Sequence, residues 1–258
     1  MPEFTALKPL GLRLTGARVD ELEGRQVDVL RTLLAVHGVV VMPGQEVDDA
    51  AFLRFVRSFG ETVFTAGETP VPGCPELNLV TNVGRTRPPR SSFHTDTSYV
   101  RTPPAYTALR AVAVPERGGQ TLFTNQYAAY ETLPRRVRKL LDGRTINHVV
   151  SGLPLDERQE SSATHPIFRV HPVSGNTAIY MSTPERCAAV SGMSPQLAAA
   201  TVAYLFKHST RDDNVYRHAW SPGDVVMWDN RCVLHCADHR GVVGDRVLHR
   251  GMVADHDS

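Results

Sequence analysis

Residues 215–236 run Val215-Tyr216-Arg217-His218-Ala219-Trp220, then Ser221-Pro222-Gly223-Asp224, then Val225-Val226-Met227-Trp228-Asp229-Asn230 and Arg231-Cys232-Val233-Leu234-His235-Cys236. The Ser-Pro-Gly-Asp stretch is a turn, since proline presets the backbone for its first corner and glycine accepts the next. The β-branched and aromatic runs around it predict strands near 215–220, 224–229 and 231–236. Outward from this hairpin, similar short runs lie at 77–81, 105–114, 119–124, 144–150, 166–170 and 177–181, with a last strand near 246–254. Val39-Val40-Val41-Met42 reads as one more buried strand, stopped by Pro43-Gly44.

Helical periodicity interrupts this β-rich body. Leu22, Leu30, Leu33 and Leu34 predict an amphipathic helix over 20–37. Asp48 can cap a second, in which Phe52, Phe55, Val56 and Phe59 share one face and which Gly60 closes. Further helices are expected over 126–142 and over 194–208, the latter started by Ser194 and Pro195. Polar loops at 84–92 and 151–164 have the character of lids or binding loops. The pattern is that of an α+β protein built on a β-sandwich or small open barrel.

Composition narrows the function. Among 258 residues, 28 Lys+Arg stand against 27 Asp+Glu, so no global field favours nucleic acid or an anionic membrane. The length is enough to bury roughly 70–75% of the unfolded surface in one sizeable core. Met1-Pro2-Glu3-Phe4-Thr5 lacks the basic and apolar segments of a leader, and no run of apolar residues is long enough to span a bilayer. Four scattered cysteines (Cys74, Cys187, Cys232, Cys236) do not form a disulfide framework, so thiols in a cytoplasmic protein are expected.

The chain has no G-x-S-x-G, G-x-G-x-x-G, P-loop or His-Glu-x-x-His motif, which leaves histidine and carboxylate chemistry. In His94-Thr95-Asp96 two metal ligands project from one face of an extended chain. Alone, this common triplet reads equally as a surface pair. Downstream, Trp228-Asp229-Asn230-Arg231 leads to His235, and Arg246, Leu248 and Arg250 alternate onto one face of the last strand. Two buried guanidinium groups on one face call for an anion, and their fork suits a carboxylate. A protein carboxylate such as Asp224 or Asp229 could serve Arg250 instead. Cys232, His235, Cys236 and His239 offer a compact zinc reading, opposed by strand alternation, which turns both sulfurs away from the imidazole.

Phe93-His94-Thr95-Asp96-Thr97, Gly118-Gly119-Gln120-Thr121-Leu122-Phe123-Thr124, Trp228-Asp229-Asn230-Arg231 with His235, and Arg246-Val247-Leu248-His249-Arg250 together resemble the TauD/TfdA family of Fe(II)- and 2-oxoglutarate-dependent dioxygenases. The similarity extends to Gln126-Tyr127-Ala128-Ala129-Tyr130-Glu131 and His171-Pro172-Val173-Ser174-Gly175. It implies one domain over residues 1–258, folded as a double-stranded β-helix, or jelly-roll, with helices packed on one side. It also makes His94, Asp96 and His235 the metal ligands, with open positions for 2-oxoglutarate and O2. Iron's two charges are then met by Asp96 and the C1 carboxylate of the cosubstrate. By the same matching, Thr121 and Arg246 hold the distal C5 carboxylate, and Arg250 holds the anionic group of a small anionic or zwitterionic substrate. The implied reaction is hydroxylation of an unactivated C–H bond, or desaturation or epoxidation, coupled to formation of succinate and CO2.

The likeness to taurine-specific members stops at Phe59-Gly60, which continues as Glu61-Thr62-Val63-Phe64-Thr65 without their His and Tyr. Arg90 replaces their Asn, and Glu185-Arg186 an aromatic. A more polar, basic pocket and a substrate with a second polar group are therefore expected, with Arg90 and Tyr99 as further pocket residues. Homo-oligomer formation is left open. Two other classes are a ligand-binding protein without catalysis on this fold and a metalloenzyme that does not use 2-oxoglutarate. The combination of Thr121 and Arg246 with an intact triad separates them, since a mere binder has no use for all five.

Overall fold

A computed structural model of the protein describes residues 2–65, 67–85, 92–152 and 159–254. In chain order the first part comprises β1 (Glu3–Ala6), β2 (Leu12–Thr15), a 3-10 turn at Val19–Glu21, α1 (Arg25–His37), β3 (Val39–Met42), α2 (Asp49–Arg57), β4 (Thr62–Val63), β5 (Pro70–Val71), β6 (Cys74–Thr81) and β7 (Tyr106–Ala113). Next come β8 (Thr121–Asn125), α3 (Gln126–Glu131), α4 (Arg135–Leu141), β9 (Thr145–Val149), β10 (Ser162–Pro166), β11 (Phe168–Val170), β12 (Thr177–Ile179) and β13 (Cys187–Val190). The chain ends with α5 (Pro195–Ser209), β14 (Val215–His218), β15 (Val225–Asp229), β16 (Val233–Ala237) and β17 (Val247–Val253).

The large sheet has the order β1-β2-β3-β15-β7-β17-β6-β5, with β4 on β17, and a second sheet has the order β14-β8-β16. β15 lies between β3 and β7 and is buried at every residue, which explains its nearly unbroken apolar run. Its alternate side chains serve two cores. Val225 and Met227 meet Leu30, Leu34, Phe52, Phe55 and Phe59 of the region around α1 and α2, whereas Val226 and Trp228 meet Phe123, Leu109 and Leu248 toward the second sheet. Two sheets facing one another across an aromatic core, with helices on the outer face of the larger, give the jelly-roll. A third core joins α3–α5 to β9, β12 and β13 through Ala129, Leu141, Ile146, Val202 and Leu205.

Several elements differ from the expectation. The helix expected over 20–37 is the 3-10 turn followed by α1, because the chain turns at Glu23-Gly24. The one expected over 126–142 is split into α3 and α4, since Pro134 cannot donate the hydrogen bond a continuous helix needs and instead caps α4. Ser162–Thr164, expected inside a polar loop, begins β10 and pairs with β9. Residues 86–91 and 153–158, within the two expected loops, lie outside the described residues.

Candidate active site

The second sheet positions the first two candidate ligands. At its free edge His94 pairs with His235 of β16 as an isolated antiparallel bridge, His94 N donating to His235 O at 2.9 Å and His235 N to His94 O at 3.0 Å. Directly paired residues point to the same side, so the imidazoles lie together, with ring centroids 4.3 Å apart. Asp96, two residues on, brings Oδ1 to 3.6 Å from His94 Nε2 and 3.7 Å from His235 Nε2. Among the described residues this is the one group of His, Cys, Asp and Glu whose ligand atoms could hold a metal, all lying within 4.8 Å of one another.

Two of the three candidate ligands are held from behind, whereas His235 Nδ1 is buried with no hydrogen-bond partner among the described residues. His94 Nδ1 donates to Ser92 O at 2.9 Å, which leaves Nε2 with its lone pair for a metal. Asp96 Oδ2 accepts from Thr107 Oγ1 at 2.8 Å, Thr107 Oγ1 accepts from Asn230 Nδ2 at 2.8 Å, and Trp228 Nε1 donates to Asn230 Oδ1 at 3.0 Å. The Trp228–Asn230 motif thus steadies the carboxylate through β7. Thr95 Oγ1 donates to Met181 O at 2.8 Å, fixing the stretch between the ligands. Thr97, just past Asp96, has φ 45°, an uncommon value for a β-branched residue and the kind of local strain that collects at functional sites.

The charge states suit a divalent metal. Burial pushes His235 down to about 3, against the pull of Asp96, so its imidazole is neutral. Burial alone would raise Asp96, but its polar and charged neighbours, the Arg250 guanidinium and the Thr107 hydroxyl among them, outweigh it and keep the carboxylate ionised. A carboxylate and two imidazoles on one side of a cavity are the donor set of a non-haem iron(II) facial triad.

Along β8, Thr121 pairs with Ala237 while Phe123 pairs with His235, so Thr121 shares the face of His235, about 7 Å further along the strand. Trp220 Nε1 donates to its hydroxyl at 3.0 Å and Arg246 Nη2 does so at 3.2 Å. With both lone pairs taken, the Thr121 proton is left to donate. Arg246 is 1% exposed, its Nε donates to Gly119 O at 2.8 Å, and its Nη1 is buried without a partner among the described residues. Burial lowers it to about 10, the mark of a cation whose counter-ion is not a protein carboxylate. The residues therefore fit a cosubstrate carboxylate: one orphaned N–H and one hydroxyl converge where it would lie.

Arg250, within β17, does not pair with Asp224 or Asp229: Asp224 accepts from Ser221 N at 2.9 Å, with His218 Nε2 3.1 Å away, and Arg231 and His171 hold Asp229. It meets Asp96 and Glu68 instead. Tyr99 is buried beside the site, where burial raises its phenol and Arg186 and Glu68 are the charges it feels. A cavity of about 440 Å³ opens beside His94, with Glu185, Arg186 and Thr183 along its wall. Arg186 Nε donates to Ser151 Oγ at 3.2 Å. Arg90 lies outside the described residues. Cys232 and Cys236 are buried thiols and belong to no metal cluster among the described residues. Sequence reading missed Thr107, Trp220 and Glu68. Trp220, at the end of a strand and beside the Ser-Pro-Gly-Asp turn, carried some signal, whereas Thr107 and Glu68 carried none, since only tertiary contact brings them here.

Fold and cluster together define a jelly-roll metalloenzyme of the two-histidine, one-carboxylate kind. The chain belongs to the Taurine catabolism dioxygenase TauD, TfdA family, whose sequence profile it matches over residues 3–252. It is 34% identical over 173 residues to the alpha-ketoglutarate-dependent 2,4-dichlorophenoxyacetate dioxygenase of Cupriavidus pinatubonensis, covering 63% of this chain and 60% of that relative. To the alpha-ketoglutarate-dependent sulfate ester dioxygenase of Pseudomonas putida it is 30% identical over 247 residues, covering 88% and 81%. The crystal structure of a taurine dioxygenase from Burkholderia xenovorans superposes with a TM-score of 0.85 at 29% identity, covering 98% of this chain and 90% of that one. The cofactors of this family of dioxygenases are Fe(II) and 2-oxoglutarate. No helix among the described residues is long and apolar enough to cross a membrane.

Proposed function

We propose that the chain, acting as a single catalytic domain, oxidises an unactivated C–H bond of a small organic anion while converting 2-oxoglutarate and O2 to succinate and CO2. The observation that carries this reading is Arg246, a buried cation whose Nη1 has no partner among the described residues, beside a hydroxyl that still has its proton to give. In this reading His94, Asp96 and His235 hold iron, Thr121 and Arg246 hold the distal carboxylate, Arg250 meets the anionic group of the substrate, and Tyr99 and Arg90 are pocket residues. Iron(II), when bound with 2-oxoglutarate, supplies the activation of O2. The protein's own part is positional. The His94 tautomer set by Ser92 O presents Nε2 to the open side, Thr107 prevents Asp96 from rotating, and the Thr121–Arg246 pair sets the direction of the keto acid.

The relatives named above, by their names, act on an aryloxy acid and on sulfate esters, which supports a small organic anion here. Buried thiols at all four cysteines support a cytoplasmic setting. The test is a screen of sulfonates, sulfate esters, aryloxyacetates and amino acids read by succinate formation. The expected result is that one class raises succinate release at least fivefold above the rate without substrate, and that Arg250→Ala abolishes the increase. Failure to consume 2-oxoglutarate with any class, in protein shown to hold iron, would contradict the proposal.

A further inference from the structure

Arg250 is held by the ladder of β17, which pairs with both β6 and β7, and its side chain is 11% exposed. Nε lies 3.4 Å from Asn78 Oδ1, Nη1 lies 3.6 Å from Asp96 Oδ1 and Nη2 lies 3.0 Å from Glu68 Oε1. The last contact is an ion pair by distance alone, because Nη2 is buried and has no aligned hydrogen-bond acceptor. Glu68 comes from the connection between β4 and β5, and its side chain is 36% exposed. The two partners are thus unequal. The arginine is built into a strand, whereas the glutamate can turn into water and lose little.

Charge balance gives this pair a consequence. With iron bound, two positive charges meet Asp96 and the C1 carboxylate of 2-oxoglutarate, and Arg250 is balanced by Glu68. An organic anion arriving at Arg250 adds one uncompensated negative charge to a largely buried space, which is costly unless another carboxylate leaves. Asp96 is fixed by Thr107 and the metal; Glu68 is not. We propose that Glu68 is a displaceable internal counter-ion that occupies Arg250 in the resting protein and is exchanged for the anionic group of the substrate. Glu68 is thereby a specificity-determining residue: an anion gains the site only if it outcompetes a resident carboxylate, so weakly paired monoanions are rejected. The inference rests on the reading of Arg250 as the substrate-anion site.

The test uses inorganic sulfate as the probe, titrated calorimetrically into anaerobic protein loaded with Fe(II) and 2-oxoglutarate. The isosteric Glu68→Gln removes the charge and retains the shape, and circular dichroism and iron content confirm that the variant is folded and loaded. Glu68→Gln is expected to bind sulfate about tenfold more tightly than wild type, and adding Arg250→Ala is expected to erase the gain. No gain in Glu68→Gln, whether affinity is equal, weaker or undetected, overturns the proposal, as does a gain that survives Arg250→Ala. If succinate formation is intact in either case, the failure lies with the role of Glu68 and not with the dioxygenase reading.

Discussion

His148 shows what burial does to a titratable residue that takes no part in the chemistry. Its Nδ1 lies 3.0 Å from Ser98 Oγ in the turn after Asp96, and its ring stands 5.2 Å from that of His165, whose Nε2 reaches Ser98 O and Val100 O. Burial, with the adjacent His165, pushes His148 down to about 3. An unfolded histidine binds its proton near pH 6.5, so between pH 6.5 and 3 the unfolded state holds a proton at this site that the native state does not. The stabilisation is therefore complete above 6.5 and is lost as pH falls, by about 1.4 kcal/mol per pH unit for this one group. Urea denaturation from pH 6.5 to 4.5 is expected to show a slope shallower by one proton in His148→Gln than in wild type; equal slopes would contradict the assignment. Legibility at this scale followed chemistry. His94, Asp96 and His235 were noticed as ligand types and Arg246 and Arg250 as cations alternating along one strand, while Thr121 and the role of each residue were named through the resemblance of four ordered motifs to one family. Glu68 and Thr107 were not, because a glutamate in a polar loop and a threonine in a strand are ordinary until the fold brings them to Arg250 and Asp96.

Two elements meet at Gly251, where β17 crosses α2. A Cβ there would stand 2.8 and 2.9 Å from the two methyl carbons of Val56 and 3.3 Å from Leu77 Cδ2. Neither valine branch can retreat, since Val56 is fully buried in the core that holds Phe52 and Phe55. Gly251→Ala is expected to lower stability by about 1–3 kcal/mol, read from the urea midpoint at unchanged m-value. An unaltered midpoint would mean that the helix can slide from the strand. Gly119 meets a similar limit, at φ 70°, where a Cβ would lie 3.0 Å from Arg246 Cδ, so close approach of backbone to guanidinium shapes this end of the site. The elements read correctly from sequence were those with local signals of their own. Asp48 and Ser194 cap α2 and α5 by accepting from Ala51 N and Leu197 N, and Ser221-Pro222-Gly223-Asp224 turns the chain between β14 and β15. β1 and β13 went unread because their side chains do not alternate, and β2 because its alternation, buried Leu12 and Leu14 beside exposed Arg13 and Thr15, lasts only four residues. The helix over 126–142 was read as one because its apolar spacing continues through Thr132-Leu133-Pro134, and Leu133 stays buried across the break.

For the molecule as a whole, the site exists only because two sheets and their connections agree. β16 and its bridge to His94 place two candidate ligands, Asp96 follows two residues on and is steadied by β7, β8 supplies Thr121, Arg246 immediately precedes β17 and Arg250 lies within it. The cosubstrate would span from the second sheet to the last strand of the first, so displacement of either sheet would uncouple metal from carboxylate. This makes one spectroscopic measurement decisive. Addition of Fe(II) and then 2-oxoglutarate to anaerobic protein should produce a weak visible charge-transfer band. The account predicts that His235→Ala abolishes the band and that Arg246→Ala requires at least tenfold more 2-oxoglutarate to reach it. No band in iron-loaded wild type, or a band indifferent to Arg246→Ala, would contradict the claim that the triad and the buried arginine hold the two ends of one keto acid.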